Sequence, residues 1–285
     1  MEQFQRKTGR ESRNRCVQIT AGGLPLLQFP VLMGKSGLQH AFTTWAGGVS
    51  AGHLASLNLS FSRGDDEGNV RENFRRVAQF FGVPESRFVF SKQTHTANVR
   101  VVTEADAGRG LTRPAEYTDV DGLVTNVPLL VLSIFTADCV PVYFYDPVHL
   151  AIGLSHSGWK GTAGRIGAET IRLMNENYGT CPADLLCAVG PSICQACYEV
   201  SADVADVFAD VFAGHEQEIL ISKGGGKYQL DLWAANRIVL TEAGVPEEQI
   251  SVTDICTCCN PGLLFSHRAT HGKRGNLGAF LMLTR

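Results

Sequence analysis

The sequence has no apolar run near the roughly 18 residues needed to cross a bilayer, and its opening, MEQFQRKTGRESRNR, has no apolar centre of the kind a signal peptide carries. It has no surplus of positive charge either. The formal net charge is −3, so no global basic field exists to hold a nucleic-acid backbone. The short basic cluster Lys7–Arg15 reads as a mobile terminus and not as a DNA arm. Internal repeats, low-complexity tracts and Pro/Ser-rich linkers are also missing. The expectation is a cytoplasmic protein without nucleic-acid or membrane partners.

What is present is a chain of 285 residues, 44% hydrophobic and only 19% charged, able to bury a sizeable core. Its nine cysteines are an odd count. In a reducing compartment they are expected as thiols or metal ligands and not as a disulfide framework.

LQHAFTT (38–44) reads as an early strand, followed by a Gly/Ser-rich loop. Residues 66–81 read as a helix, with Asp66 as cap and Val70, Phe74, Val77 and Phe81 at helical spacing. RFVFS, ANVRVV, DGLVT, LLVLSIF, VPVYFYD and HLAIGLSH then follow as strands. A helix over 161–178, a strand LLCAVG, helices near 199–212 and 232–244, and strands near 250–256 and 278–283 complete the chain. This order predicts a layered α/β or α+β sandwich in a single domain. One stretch is anomalous: IFTADCVPVYFYD (Ile134–Asp146) reads as a buried strand with Asp138 and Cys139 in its middle.

Two histidines stand out by context. His95 sits in a polar break, SKQTHTANV, and His156 ends a strand before the glycine-rich turn SHSGWKGTAG. Cys139 lies 17 residues before His156 and 44 after His95. If LSIF, VPVYF and AIGLS pair as neighbours, Cys139 approaches the end of the third strand. A His/Cys/His set suits Zn²⁺, leaving a fourth position for water. The same residues suit a metal-free hydrolase with Cys139 as nucleophile and His156 as base, and spacing does not separate the two. Asp138 either caps a turn or orients a ligand from behind.

The turn GWKGTAG, with Lys160, offers backbone N–H groups to an anion, though an ordinary strand-to-helix turn needs the same glycines. KGGGK (223–227) lacks the spacing and hydroxyl of a P-loop and reads as a flexible hairpin turn. Cys194-x-x-Cys197 and Cys256-x-Cys258-Cys259 suggest a zinc ribbon, but their separation is not that of paired knuckles. The bland reading of ICQACYEV is small residues in a turn.

Taken together, ten segments resemble the YfiH/YlmD family of laccase-domain proteins, once called multicopper polyphenol oxidases. They are HAFTT-x-x-GGVS, SLNLS, GDD with VRENFRRV, KQTH, DVDGLVTN, TADCVPV, HSGWKGTAG, VGPSICQACYEV, LDLWAANR and FSHR. The resemblance covers residues 38–285 and leaves 1–37 as a variable segment. It implies an α/β sandwich related to cysteine-hydrolase-like toxins. It also implies a metal-dependent enzyme that cleaves adenosine, inosine, guanosine and methylthioadenosine with phosphate and deaminates adenosine. The family's metal, Zn²⁺ with Cu²⁺ as the alternative, would be held by His95, Cys139 and His156.

Two departures touch the substrate side. Trp45 stands where relatives carry Arg, and RGN (Arg274–Asn276) replaces a Thr-Gly-Arg element. Lys160 and Arg268 are then the candidates for substrate binding. A copper-dependent phenol oxidase fits poorly, because three ligands lack the histidines of a multicopper relay. A peptidoglycan-editing hydrolase using Cys139 is the other alternative. Oligomeric state is not legible.

Overall fold

The architecture is four layers, helix–sheet–sheet–helix, in a computed structural model that describes residues 3–7 and 15–285. Of the basic cluster Lys7–Arg15, residues 8–14 lie outside the described residues. The first sheet runs β1 (Val17–Ala21), β2 (Leu24–Gln28), β3 (Leu38–Thr43), β15 (Leu277–Leu283), β7 (Val131–Thr136), β4 (Phe88–Val89). The second runs β14 (Ile250–Val252), β10 (Leu186–Val189), β8 (Val140–Asp146), β9 (Ala151–Ser157), β6 (Gly122–Thr125), β5 (Val99–Val101).

Period-two alternation within the central strands builds the layers. In β15, Leu277, Ala279, Leu281 and Leu283 face the space between the sheets, while Phe280 and Met282 face outward under α1 (Glu67–Phe81). In β8, Tyr143 and Tyr145 point into the same inter-sheet core, and Val140, Val142 and Phe144 point outward. Both faces being covered, these strands read as continuous apolar runs. The two tyrosines also tie the sheets together, Tyr143 Oη donating to the Ala41 carbonyl at 3.0 Å and Tyr145 Oη to that of Ser36 at 2.7 Å.

α1 begins as expected, with the Asp66 carboxylate accepting from the amides of Gly68 and Asn69 at 2.8 and 3.3 Å. The opposite outer layer contains α3 (Ile166–Tyr178) and α6 (Leu232–Glu242), with α4 (Ala202–Val211) and α5 (Glu216–Ile219) beside them. A small third sheet, β11 (Glu199–Ser201), β13 (Lys227–Leu230) and β12 (Leu220–Gly224), packs with these helices; KGGGK is its hairpin turn. Among the described residues no helix is long and apolar enough to cross a membrane.

Several expectations need correction. The stretch Ile134–Asp146 is not one strand. β7 ends at Thr136 in the first sheet, β8 starts at Val140 in the second, and residues 137–139 cross between them with Asp138 at φ 90°. LSIF therefore does not pair with VPVYF; only β8 and β9 are ladder neighbours. The helix over 161–178 is two, α2 (Trp159–Ala163) and α3, because Arg165 takes a left-handed conformation at φ 56°. Residues 199–201 are strand β11 rather than helix. Residues ahead of 38 also join the first sheet: β1 and β2 form a hairpin around Gly22–Gly23, and β2 pairs with β3.

His40 is buried between the sheets, with its Nε2 accepting the Phe29 amide at 2.9 Å. Burial pushes its pKa down to about 3. A depressed folded-state pKa means that stability is full above the unfolded value near 6.5 and is lost as pH falls from there towards 3. Over that window His40 contributes a slope of roughly 1.4 kcal/mol per pH unit. His40→Gln, which keeps an acceptor but cannot titrate, is expected to show a shallower loss of urea stability between neutral pH and pH about 5. Parallel curves for the two proteins would contradict this role.

Candidate metal centre

Strand register assembles the site at one end of the second sheet. Pro141 lies opposite His156, Val140 opposite Ser157, and Gly122 opposite Ser155. The residues just outside these ladders, Cys139 before β8 and Asp121 before β6, are thereby brought beside His156. The His156 amide donates to the Asp121 carbonyl at 2.7 Å. The third side chain comes from the other direction, on the loop between β4 and β5. Gln93 ties that loop to β7 by a reciprocal pair of 2.8 Å hydrogen bonds with the Phe135 backbone.

The buried Asp121 carboxylate is the organiser. It accepts the amides of Thr94 (3.1 Å), His95 (3.0 Å) and Thr96 (3.0 Å), the Thr96 hydroxyl (3.0 Å) and His156 Nδ1 (2.8 Å). Three successive amides converging on one carboxylate hold His95 in its left-handed conformation, φ 67°. Burial alone would raise the Asp121 carboxyl, but the His156 contact and the Thr96 and Thr94 amides outweigh it and hold it at about 2. With Nδ1 donating to Asp121, His156 presents Nε2 towards Cys139 and His95.

The ligand atoms of His95, Cys139 and His156 all lie within 4.8 Å of one another. The two imidazoles meet edge to face, with centroids 4.9 Å apart. Tetrahedral zinc, with bonds of about 2.0–2.3 Å, requires donor separations of roughly 3.3–3.8 Å, so the set fits the ion with small adjustment. Gly158 keeps the space open, since a Cβ there would stand 3.0 Å from His95 Cδ2 and 3.1 Å from Cys139 Sγ. Burial raises the Cys139 thiol, yet His156 and His95 outweigh it and bring it down to about 6. Burial lowers His156, and the Cys139 and Asp121 charges outweigh that, raising it to about 9. The protein thus favours the thiolate that a metal requires.

The three donors open into a cleft of about 320 Å³, walled by Phe61, Phe90 and Phe135 and carrying the cations Arg63, Lys92 and Arg274. Arg274 is buried, and burial together with Arg63 lowers its pKa to about 10. Its Nη1 donates to the Gly275 carbonyl and the Asn276 side chain, while its Nε has no hydrogen-bond partner among the described residues.

Of the residues singled out by sequence, the structure brings His95, Cys139 and His156 together. Lys160 is exposed, with Nζ over the Trp159 ring at 5.5 Å, and does not line the cleft. Arg268 does not line it either; its guanidinium donates to the carbonyls of Cys197 (3.3 Å) and Glu199 (3.0 Å). Trp45 packs against the inter-sheet core, whereas Asn276 lines the cleft. Asp138 caps the turn at 267–272, and among the described residues no hydrogen bond joins it to His95, Cys139 or His156. Its carboxylate accepts the Thr257 hydroxyl at 2.6 Å and the Arg268 amide at 2.7 Å, pinning the 137–139 crossing. Sequence reasoning missed Asp121, Arg63, Lys92, Arg274 and the aromatic walls. The signal for Asp121 was an acid directly before the strand GLVT.

Residues 39–284 match the family model described as multi-copper polyphenol oxidoreductase laccase. The chain is 38% identical over 250 residues to purine nucleoside phosphorylase YlmD of Bacillus subtilis, covering 84% of this chain and 86% of that one. This chain belongs to the YlmD/YfiH family of laccase-like-domain proteins. It is also similar to adenosine deaminase RL5 from an unknown prokaryotic organism, 34% identical over 230 residues, covering 80% of this chain and 87% of that one. The crystal structure of YlmD from Geobacillus stearothermophilus superposes with a TM-score of 0.84 at 34% identity, over 99% of each chain.

Because Asp121 orients the His156 ring and fixes the backbone under His95, Asp121→Asn is expected to weaken zinc binding roughly 10- to 100-fold with the fold retained. Competition against a chromophoric chelator measures this. Unchanged affinity in the folded variant would remove Asp121 from its organising role.

Proposed function

We propose that this protein is a zinc-dependent purine nucleoside phosphorylase that also deaminates adenosine. The observation that carries the reading is a His/Cys/His donor set opening into a cleft with aromatic walls and a buried, incompletely bonded guanidinium. The names of the relatives, purine nucleoside phosphorylase and adenosine deaminase, support it. Adenosine, inosine, guanosine and methylthioadenosine are the proposed substrates, with phosphate as co-substrate.

The walls of Phe61, Phe90 and Phe135 offer apolar faces for a purine ring. Arg274, with Arg63 and Lys92, holds phosphate: a guanidinium presents paired N–H donors matched to phosphate oxygens, and burial strengthens each bond. In phosphorolysis a phosphate oxygen bonds to the anomeric carbon as the glycosidic C–N bond breaks. The bonding pair leaves on the purine, which takes up a proton. Positioning the two reactants is the main contribution of the cations and aromatic walls. Asp121 holds His156 and His95 in the orientation a metal needs, and bound zinc supplies Lewis acidity at that end of the cleft.

A second reading rests on one observation. Asp121, His156 and Cys139 are connected as a hydrolase relay, with His156 Nδ1 on the carboxylate at 2.8 Å and a thiol brought down to about 6. His95 is the residue such a relay does not need. Activity of verified metal-free protein, abolished by thiol alkylation, would favour the hydrolase.

Incubation with adenosine, with and without phosphate, tests the primary reading. Adenine and pentose 1-phosphate are expected only with phosphate, and inosine in both cases. Neither product from zinc-loaded protein would overturn it. Arg274→Gln is expected to raise the KM for phosphate roughly 10- to 150-fold, the 1.5–3 kcal/mol of a charged hydrogen bond, and the KM for adenosine far less. Equal effects on both would place the phosphate elsewhere.

A further inference from the structure

A second cluster of thiols lies behind the 137–139 crossing, apart from the cleft. Cys194 and Cys197 come from the loop between β10 and β11, and Cys256 and Cys259 from the segment after β14. Each pair has C-x-x-C spacing, the knuckle that bites one metal ion through two sulfurs. The long separation between the pairs hides the motif in sequence. The fold removes that obstacle, since the parallel pairing of β10 with β14 and the bridge between Ser192 and Cys256 carry both segments to the same place.

All four sulfurs lie within 4.8 Å of one another, with Cys197 and Cys259 Sγ at 3.5 Å. Tetrahedral zinc with Zn–S bonds of about 2.3 Å has sulfur–sulfur edges of about 3.8 Å, whereas a disulfide needs about 2.05 Å. The surroundings suit thiolates. The Cys194 amide donates to Cys256 Sγ at 3.2 Å, and Lys7 Nζ donates to Cys259 Sγ at 3.3 Å. Cys194 and Cys256 are buried, and the other two are half-buried. Four thiolates around a divalent ion leave two negative charges, which these donors offset in part. Cys258, between the two knuckle cysteines, is not a member of the quartet.

We propose that Cys194, Cys197, Cys256 and Cys259 form a structural zinc tetrathiolate, separate from the cleft. Soft sulfur donors in a closed tetrahedral set select zinc over harder ions. The ion joins the 190–198 loop to the 253–260 loop, to which residues 5–7 are tied by the Gln5–Asn260, Arg6–Asp254 and Lys7–Asp254 hydrogen bonds. It also supports the cleft from behind. Thr257, inside the second knuckle, donates to Asp138, and Arg268, which donates its amide to Asp138, also donates to the Cys197 carbonyl. Metal at the quartet therefore fixes the crossing that carries Cys139.

The test uses the full chain with His95→Ala and His156→Ala, which disables the cleft site and leaves every cysteine in place. The expected result is about one zinc per chain as purified, with X-ray absorption showing four sulfur neighbours at about 2.3 Å. Wild type is expected to carry a second equivalent, so the measurement survives if the double variant folds poorly. Cys197→Ser with Cys259→Ser is expected to lose the tetrathiolate signal and lower the Tm, while Cys258→Ser retains it. Folded protein without zinc, mixed nitrogen–sulfur coordination only, iron in place of zinc, or a mass showing disulfides between these cysteines would each overturn the proposal. The failure of adenosine turnover would not bear on it.

Discussion

One buried carboxylate holds this site together. Asp121 accepts five hydrogen bonds, from three consecutive amides, a hydroxyl and an imidazole, and is fully buried. Burying a lone carboxylate costs several kcal/mol. Here the donors replace water and keep the charge. The same contacts fix the backbone under His95 and the tautomer of His156, so a single side chain sets the position of two candidate ligands, one on the β4–β5 loop and one on β9. The third, Cys139, is brought beside them by the β8–β9 register.

The Asp138–Cys139 pair was anomalous as part of a buried strand and is not anomalous as a crossing between sheets. A chain that leaves one sheet and enters the next within three residues turns sharply, and Asp138 takes φ 90° to do it. Its carboxylate is satisfied by Thr257 and the Arg268 amide, which makes the acid an anchor rather than a defect. That anchor reaches into the cysteine quartet. The order of support runs from the quartet through Asp138 to Cys139, and from Asp121 to His95 and His156.

Legibility in the sequence follows from how local each feature is. Helix α1, with Asp66 as cap and its apolar face at helical spacing, was readable because both signals lie within a few turns. So were the central strands, as apolar runs between turn residues. The break at Arg165 and the strand β11 were not, because each depends on packing against distant segments. The donor trio was identified by the quoted segments KQTH, TADC and HSGW; spacing alone left Cys139 open between ligand and nucleophile. Asp121 was hidden because it lies 35 residues from His156 and meets it only through β6–β9 pairing. The quartet was legible only as a zinc-ribbon pattern of non-standard separation, because its two halves lie 62 residues apart and meet only through the fold. Arg274 drew attention only as a departure from a family element, although it supplies a cation to the cleft.

The most direct test of the central claim is to strip the protein with a chelator and follow phosphate-dependent adenine release as zinc is returned. Activity is expected to disappear on stripping, to recover to saturation with added zinc in wild type, and not to recover in folded Cys139→Ser. Full phosphorolysis by metal-free protein, or full recovery in Cys139→Ser, would contradict it.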